Sequence, residues 1–507
     1  MNIRTRWWTF TAIFASAVML ADRQCGLADP CLQTGATPET AKVISELLKQ
    51  AAVAVNEIDD PEKKAVAFMA LATVQARAGD RPAAQHSIQE SMTAIRALGD
   101  ISGSERAFLP ANVAICQAEI DDLPGALQTI KSIPEANVRG FARVFVIDTL
   151  LTRGAHQQAL EVSRGIENAD VRERRLSSVA ECKSRNGDLQ AALSIVKELE
   201  KSKNHEVALV LVALARLEAG DIESAQRLAS TIENSLPKFR VLCEIANAQL
   251  EAKQDDAARH TFREAQQLAN TAKLTKPLVH LVVLQAKLGD LQGAMAVVDT
   301  LDDPAIRIGI AKQVILWLAE KEQIAQAVSL VSRIRDDPHK DDTLRELAVF
   351  QAKAGEIKAG LDAARSLQQA YARSYAFREI AKVQFEKGNR DGAKASLAEA
   401  LKATVNFPVG GGTNVILVQE VAAAQAETGD AEAARQTFLL ALTTTESYPD
   451  LSYRGQLAGN IAKAEAAAGL ADAAAQWALK LPSPEMRVPA LLGVVDGLLA
   501  MARDRGK

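Results

Sequence analysis

The feature that most constrains this sequence is an internal repeat of 33 residues. One pattern recurs: an aliphatic residue followed by Ala, then Gln-Ala, then Gly-Asp, and an Ala four residues after the Asp. When the residue after the Gly is taken as an anchor, twelve copies align, and seven of the eleven intervals between anchors are 33 residues. The anchors are Asp80, Asp122, Ala155, Asp188, Asp221, Gln254, Asp290, Gln323, Glu356, Asn389, Asp430 and Leu470. So constant a period predicts a repeat architecture.

The residues around each anchor predict two helices joined by a tight turn. Nine residues before the anchor every repeat has an aliphatic residue, and six before it all but Thr149 are core types, a spacing that lies on one helix face. Gly precedes the anchor in nine repeats and is expected to end the first helix in the left-handed conformation. Asp is the anchor in six repeats and is expected to cap the second helix. Ala stands four residues after the anchor in eleven repeats, and Gly360 in the twelfth, so the two helices can lie close together.

Four units are longer, and the residue eleven after the anchor indicates why. This residue is Ile or Leu in most 33-residue units, where it closes the second helix, whereas the longer units have Ser91, Ala265, Ala400 or Ala441. We therefore expect longer second helices in these units, near 82–97, 256–272, 391–405 and 431–446. After Pro482 and Pro484 we expect one further helix at about 486–503, which would cap the array.

The composition agrees with closely packed helices. Hydrophobic residues make up 48% of the chain but aromatic residues only 4%, so Ala, Leu, Ile and Val must supply the core. We predict an all-α, right-handed α-solenoid of about twelve helix-turn-helix repeats over residues 40–507, ending in a C-terminal capping helix.

These residues resemble the tetratricopeptide repeat. That family has a large and then a small residue in its first helix, a Gly-Asp-like turn and a small residue four positions on, and the resemblance covers about residues 40–507. The sequence departs from the family in its 33-residue unit, in the absence of the Trp and in having Gln where the family has Tyr, as at Gln75 and Gln117. HEAT-like and other helical-pair repeats are the alternatives. The resemblance implies a concave surface that binds a protein or a peptide.

The first 28 residues have the layout of a secretory signal peptide. Arg4 and Arg6 precede an uncharged stretch from Trp7 to Ala21, which is too short to span a bilayer comfortably. Small residues suitable for cleavage end at Ala21 or at Ala28. We expect a signal peptide over residues 1–28, a linker over 29–39 and a periplasmic or secreted mature protein without membrane insertion. A retained membrane anchor is the alternative.

The sequence offers no pattern for catalysis, a metal or a cofactor. The six His do not pair at ligand spacing, the glycine run Val409–Thr413 lacks the Lys of a phosphate loop, and no G-x-S-x-G occurs. The net charge of −4 argues against a nucleic-acid-binding surface. Cys116 and Cys182 occupy the same position two repeats apart, too far for a disulfide, and are expected to stay reduced.

One polar position repeats as faithfully as the core. Sixteen residues before the anchor, nine of the twelve repeats have Lys or Arg, a column we name the basic ladder. Its members are Lys64, Arg106, Arg139, Arg172, Lys238, Arg307, Lys340, Arg373 and Arg454. These side chains either pack along an apolar seam and donate to carbonyls at a helix end, or form a stripe for an anionic partner. Because the column follows the repeat so closely, the structural interpretation is favoured.

The sequence thus predicts an exported scaffold that binds a protein or peptide, with no catalytic role. A structural spacer in an envelope or extracellular assembly is the alternative of a different class. An enzyme would need polar side chains that converge in one pocket.

Overall fold

The computed structural model describes residues 36–101, 105–272, 278–301, 303–331, 340–405 and 412–505, and within these ranges it contains helices and no strand. The predicted signal peptide lies outside the described residues, as do Cys25, Cys31 and most of the glycine run. The all-α prediction is confirmed.

The helices, numbered α1 to α26 in chain order, form twelve sequential pairs flanked by one helix on either side. The flanking helices are α1 (Pro38–Asn56) and α26 (Pro484–Arg505). We call the first helix of each pair helix A and the second helix B. The pairs are α2 (Pro61–Arg77) with α3 (Arg81–Ala97), α4 (Leu109–Glu119) with α5 (Leu123–Ser132), α6 (Ala136–Thr152) with α7 (His156–Arg164), α8 (Ala169–Arg185) with α9 (Leu189–Glu198), α10 (His205–Glu218) with α11 (Ile222–Thr231), α12 (Ser235–Glu251) with α13 (Asp255–Thr271), α14 (Leu278–Lys287) with α15 (Leu291–Asp299), α16 (Pro304–Glu320) with α17 (Ile324–Leu330), α18 (Lys340–Lys353) with α19 (Ile357–Ser366), α20 (Ala370–Glu386) with α21 (Arg390–Val405), α22 (Thr413–Glu427) with α23 (Ala431–Thr444), and α24 (Leu451–Glu465) with α25 (Ala471–Ala478).

The turn between the two helices of a pair is the same in all twelve repeats. Each of the nine predicted Gly residues has a positive φ, for example 90° at Gly79 and 88° at Gly187. The three repeats without Gly keep the conformation, with φ of 72° at Asp121, 58° at Lys253 and 60° at Glu322. A left-handed residue is unfavourable for these side chains, so the turn is imposed by the packing of the helix pair.

The predicted caps of helix B are also present. Asp80 accepts a hydrogen bond from the Ala83 amide at 3.1 Å, and the other five anchor Asp residues accept in the same way from the amide three residues on. Each of these carboxylates satisfies an N–H group that the first turn of a helix leaves free.

The small residue in helix B sets the distance within a pair. Ala84, Ala126 and their equivalents are fully or almost fully buried. At Gly360 an added Cβ would lie 2.5 Å from the Ala348 carbonyl oxygen of the preceding helix. Helix A and helix B therefore lie so close together at this position that only Ala or Gly fits.

The length of helix B follows the rule expected from the sequence. In the four longer units helix B has 17, 17, 16 and 14 residues, the last being extended by the 3₁₀ turn Thr445–Ser447. In 33-residue units such as that of α11 it has 10. The last predicted helix, at about 486–503, is α26.

The described residues divide into two compact units. One contains the described parts of 29–149 and 361–507, and the other those of 150–360. The first is built around residues such as Phe68, Leu71 and Phe438, and the second around residues such as Ile310 and Ile315. Both cores consist mainly of aliphatic side chains and contain few aromatic ones, as the composition indicated.

Two further findings bear on the expectations from sequence. Cys116, Cys182 and Cys243 are buried and form no disulfide with one another. None of the helices in the described ranges is both long enough and apolar enough to cross a membrane.

Candidate functional site: the basic ladder and the exposed face of the A helices

Four arginines of the basic ladder donate to the backbone just before their own helix. Arg139 donates from one terminal nitrogen to the carbonyls of Ile133 at 2.9 Å and Pro134 at 2.7 Å. Arg172 and Arg373 make the same pair of bonds, to the residues six and five positions earlier, and Arg307 makes the first of them. The carbonyl six positions earlier belongs to the Ile or Leu that ends the previous helix B. Each of these side chains thus ties one repeat to the next.

The remaining ladder residues are less uniform. Lys64 donates from Nζ to the Asn56 carbonyl at 3.0 Å, whereas Arg106 pairs with the Glu62 carboxylate at 2.8 Å. Lys238 and Lys340 are half-buried in the first turns of α12 and α18. The Nε atom of Arg454 is buried without a hydrogen-bond partner.

The sequence alignment missed one member of this column. Arg487 of α26 donates from Nε to the Leu481 carbonyl at 3.2 Å, again six residues earlier. It stands 33 residues after Arg454 and could have been found by continuing the period beyond the last anchor. Since the heads of five arginines bond to backbone carbonyls, they favour the structural interpretation of the ladder.

A second polar contact joins the two helices within a pair. Ser87 of α3 donates to the Gln75 side-chain oxygen of α2 at 2.7 Å, and Thr129 with Gln117 and Ser396 with Gln384 form the same bond. The Gln lies five residues before the anchor, where the tetratricopeptide family has Tyr, and the hydroxyl lies seven after it. Gln at this position therefore has a structural role within the helix pair. The opposite face of helix A remains as a candidate surface for binding.

In most repeats helix A has one face that the repeat core leaves at least partly exposed. Its residues lie 14, 10, 7 and 3 positions before the anchor, a spacing that follows the helical period. On α2, for example, they are Val66, Ala70, Thr73 and Arg77, of which Ala70 is exposed and the others are half-buried. We call this surface the A-helix face.

The aromatic patch on this face is its most unusual feature. It consists of Phe108, just before α4, with Phe141 and Phe145 of α6. The ring centroids of Phe108 and Phe141 are 5.2 Å apart in an edge-to-face arrangement, and those of Phe141 and Phe145 are 4.4 Å apart. All three side chains are half-buried, in a chain with only 13 Phe. Clustered aromatic side chains that remain partly in water are typical of binding surfaces.

A charged cluster lies on the same face of α20 and α22. The Arg378 guanidinium bonds the carboxylates of Glu420 and Glu379 and lies 5.2 Å from the ring centroid of Tyr375. Lys382 pairs with Glu427 at 2.9 Å. Because opposite charges meet within the cluster, its net attraction for a charged partner is small.

The second unit contains an apolar groove between consecutive B helices. It has a volume of about 470 Å³ and is lined by Leu193 of α9 and Leu228 of α11, with Lys197 and Arg227 at its rim. His205 also lines the groove, in the place of a ladder arginine, with Nδ1 3.2 Å from the Val196 carbonyl oxygen. The floor is aliphatic, so the groove offers little directional chemistry.

Comparison with known proteins gives distant structural likeness only. No protein-family model matches the chain, and no curated protein resembles it in sequence. The solved structure of Naa15/Naa10 bound to HypK-THB is 14% identical, with 92% of this chain and 80% of that chain covered and a TM-score of 0.29. The Cut9-Hcn1 hetero-tetramer of the APC/C is 12% identical, with 88% and 93% covered and a TM-score of 0.24. A signal-transduction ATPase with a tetratricopeptide repeat sensor from Pyrococcus horikoshii is 11% identical, with 92% and 66% covered and a TM-score of 0.26.

At TM-scores this low, the likeness carries no argument about function. The architecture rests instead on the helix pairs themselves, which share one turn and one small-residue contact across twelve repeats and an Asp cap in six. By this geometry the chain is a tetratricopeptide-like helical repeat protein.

Proposed function

We propose that the protein is an exported scaffold that binds a protein or peptide on the A-helix face, with the aromatic patch as its main contact. The patch carries the proposal because three half-exposed rings lie together on this face. Partly exposed aromatic residues contribute much of the energy in protein interfaces, where they bury large areas at little entropic cost.

A protein partner fits this surface better than a small molecule. Small-molecule sites are concave and enclose most of their ligand. The aromatic patch lies instead along the faces of successive A helices, where an extended or helical segment of a partner can follow it. The proposal assigns no catalytic step to the chain.

The proposal is tested by partner capture with a matched pair of variants. The tagged protein is isolated from the native cell fraction, and the proteins that co-purify are identified by mass spectrometry. Phe141→Ala should lower recovery of a specific partner at least tenfold, and binding to that purified partner should weaken in parallel. Leu439→Ala is the control, because Leu439 lies on a helix B, α23, and is 55% exposed. We call the exposed side of the B helices the helix-B surface. Equal binding by both variants would remove the aromatic patch from the interface, and loss in both would point to another surface.

Export is part of the same proposal. The charged start, the uncharged stretch and the small residues before Asp22 and Asp29 support it. When the chain is expressed with its own N-terminal sequence in a secreting host, the mature protein should begin at one of these two residues. N-terminal sequencing that returns Met1 would contradict export.

A further inference from the structure

Two helices of the first unit have no partner in the sequential pairing. α1 precedes the first A helix, and α26 follows the last B helix. Pairing in sequence therefore leaves a possible helix B at one end of the array and a possible helix A at the other.

The residues of α1 and α26 fit the repeat pattern of these two roles. One 33-residue step after Leu470, Arg487 falls at the ladder position and Val494, fully buried, at the aliphatic position of a helix A. One step before Asp80, Ala51 falls at the small-residue position and Ile58 at the closing position of a helix B. Ala51 is 0% exposed and Ile58 3%. The pattern is thus continued by one half-repeat on either side.

The two helices also pack as a pair. α1 contacts α26 more extensively than it contacts α2. Leu47 and Val55 of α1 share one core with Leu491 and Val495 of α26. A cleft of about 220 Å³ remains beside α1, lined by Ile44 of that helix and by Ala83 of α3. In most of the other pairs helix B likewise packs more closely on its own helix A than on the next one.

Three ion pairs join the same two parts of the chain. Arg487 of α26 pairs with Glu57, which follows α1, at 3.0 Å. Asp496 of α26 pairs with Arg77 of α2 at 3.0 Å, and Lys63 of α2 lies 3.6 Å from Glu485 of α26. The bonded residues of the first two pairs are 430 and 419 positions apart in sequence.

We infer that α26 and α1 form a thirteenth, composite helix pair, a clasp in which the helix A is supplied by one end of the repeat array and the helix B by the other. The clasp joins the two chain segments of the first unit. α26 is held on its other side by α24, where Gly455 and Gly459 bring the two backbones together. Release of α1 therefore uncovers an apolar face of α26 and lowers its stability.

The clasp is tested by hydrogen exchange on the full chain. Val55 occupies, in α1, the position that Val196 occupies in α9, and both are buried. Val55→Ala should raise amide exchange across α26 by about tenfold, the effect of a cavity next to that helix. Val196→Ala is the matched control and should raise exchange in α8 and α9 while leaving α26 unchanged. If Val55→Ala raised exchange only within α1 to α3, α1 would be a simple extension of the first repeat and the inference would be overturned.

A second variant tests the clasp if the effect of Val55→Ala on exchange is too small to measure. Ala51→Leu places a large side chain at the small-residue position of the composite pair and should separate α1 from α26. Faster exchange in both helices together supports the clasp. Faster exchange in α1 alone, with α26 protected as in the unchanged chain, contradicts it.

Discussion

At the scale of the residue, the side-chain hydrogen bond between helix A and helix B is made by two positions, and in one repeat both positions hold a different type of residue. Most of these bonds join Gln to Ser or Thr, but in the last repeat Glu465 and Trp477 occupy the same two positions. Trp477 Nε1 donates to a Glu465 oxygen at 2.7 Å, and Glu465 is 2% exposed. The repeat thus contains a buried carboxyl where its neighbours have a neutral amide.

This carboxyl should make stability depend on pH. Burial raises the pKa of Glu465 above its ordinary value of 4.5, although the bond from Trp477 and the charge of Arg435 act in the opposite direction. A raised pKa in the folded state means that the folded chain holds the proton more tightly. The resulting stabilisation is present below the unfolded pKa and is lost as the pH rises through the folded value.

Glu465→Gln should therefore stabilise the protein at neutral pH. The amide keeps an acceptor for Trp477 without a buried charge, and we expect a gain of about 1 kcal/mol at pH 7 that shrinks towards pH 4. Thermal melts across this range measure it. Gln117→Glu is the converse control, since it buries a carboxyl beside Thr129 and should destabilise most at neutral pH. A loss of stability in Glu465→Gln at pH 7 would show that the charge is needed.

The basic ladder gives a second prediction at this scale. Arg172→Ala should lower the free energy of unfolding by about 1–2 kcal/mol, because two carbonyls lose a charged donor and the stem loses its packing. Arg174→Ala is the control, since Arg174 and its partner Asp170 are both exposed, and such surface ion pairs contribute little to stability. Equal melting temperatures for the two variants would instead favour the anionic-partner interpretation.

At the scale of the element, the sequence predicted the helix pairs well because each signal is local. The Gly of the turn, the capping Asp and the small residue of helix B all lie within ten residues of one another, and they occur in nine, six and twelve repeats respectively. Contacts between helices that are not neighbours in sequence leave no such pattern. The contact between α24 and α26 is an example, because it depends on single glycines within the helices. From sequence alone, such a glycine indicates only an unfavourable helix residue and not a close contact.

A substitution at Gly493 tests the close approach of α24 and α26. A Cβ on Gly493 would lie 2.1 Å from the Gly459 carbonyl oxygen, so Gly493→Ala must push α26 away from α24. We expect a loss of about 1–3 kcal/mol, as for other overpacked sites. Gly140→Ala is the matched control, because a Cβ on this glycine of α6 meets nothing within 4 Å and should stabilise the helix by about 0.5–1 kcal/mol. Guanidinium unfolding of the two variants should therefore shift in opposite directions.

At the scale of the whole molecule, the sequence predicted the repeat array but neither the composite pair nor the aromatic patch. The composite pair joins residues more than 400 positions apart, and although the repeat pattern continues into both helices, periodicity does not show that the two ends meet. The aromatic patch was missed for a different reason. Phe108, Phe141 and Phe145 occupy two positions of helix A that vary freely between repeats, and their proximity follows only from the stacking of α4 against α6.

The central claim, that the A-helix face is the binding surface, is tested most directly by photo-crosslinking in the native cell. A benzoyl-phenylalanine replaces Phe145 on the A-helix face in one strain and Leu439 on the helix-B surface in another. We expect one discrete crosslinked protein from position 145 and none from position 439. A crosslink from position 439 alone, or the same product from both positions, would contradict it.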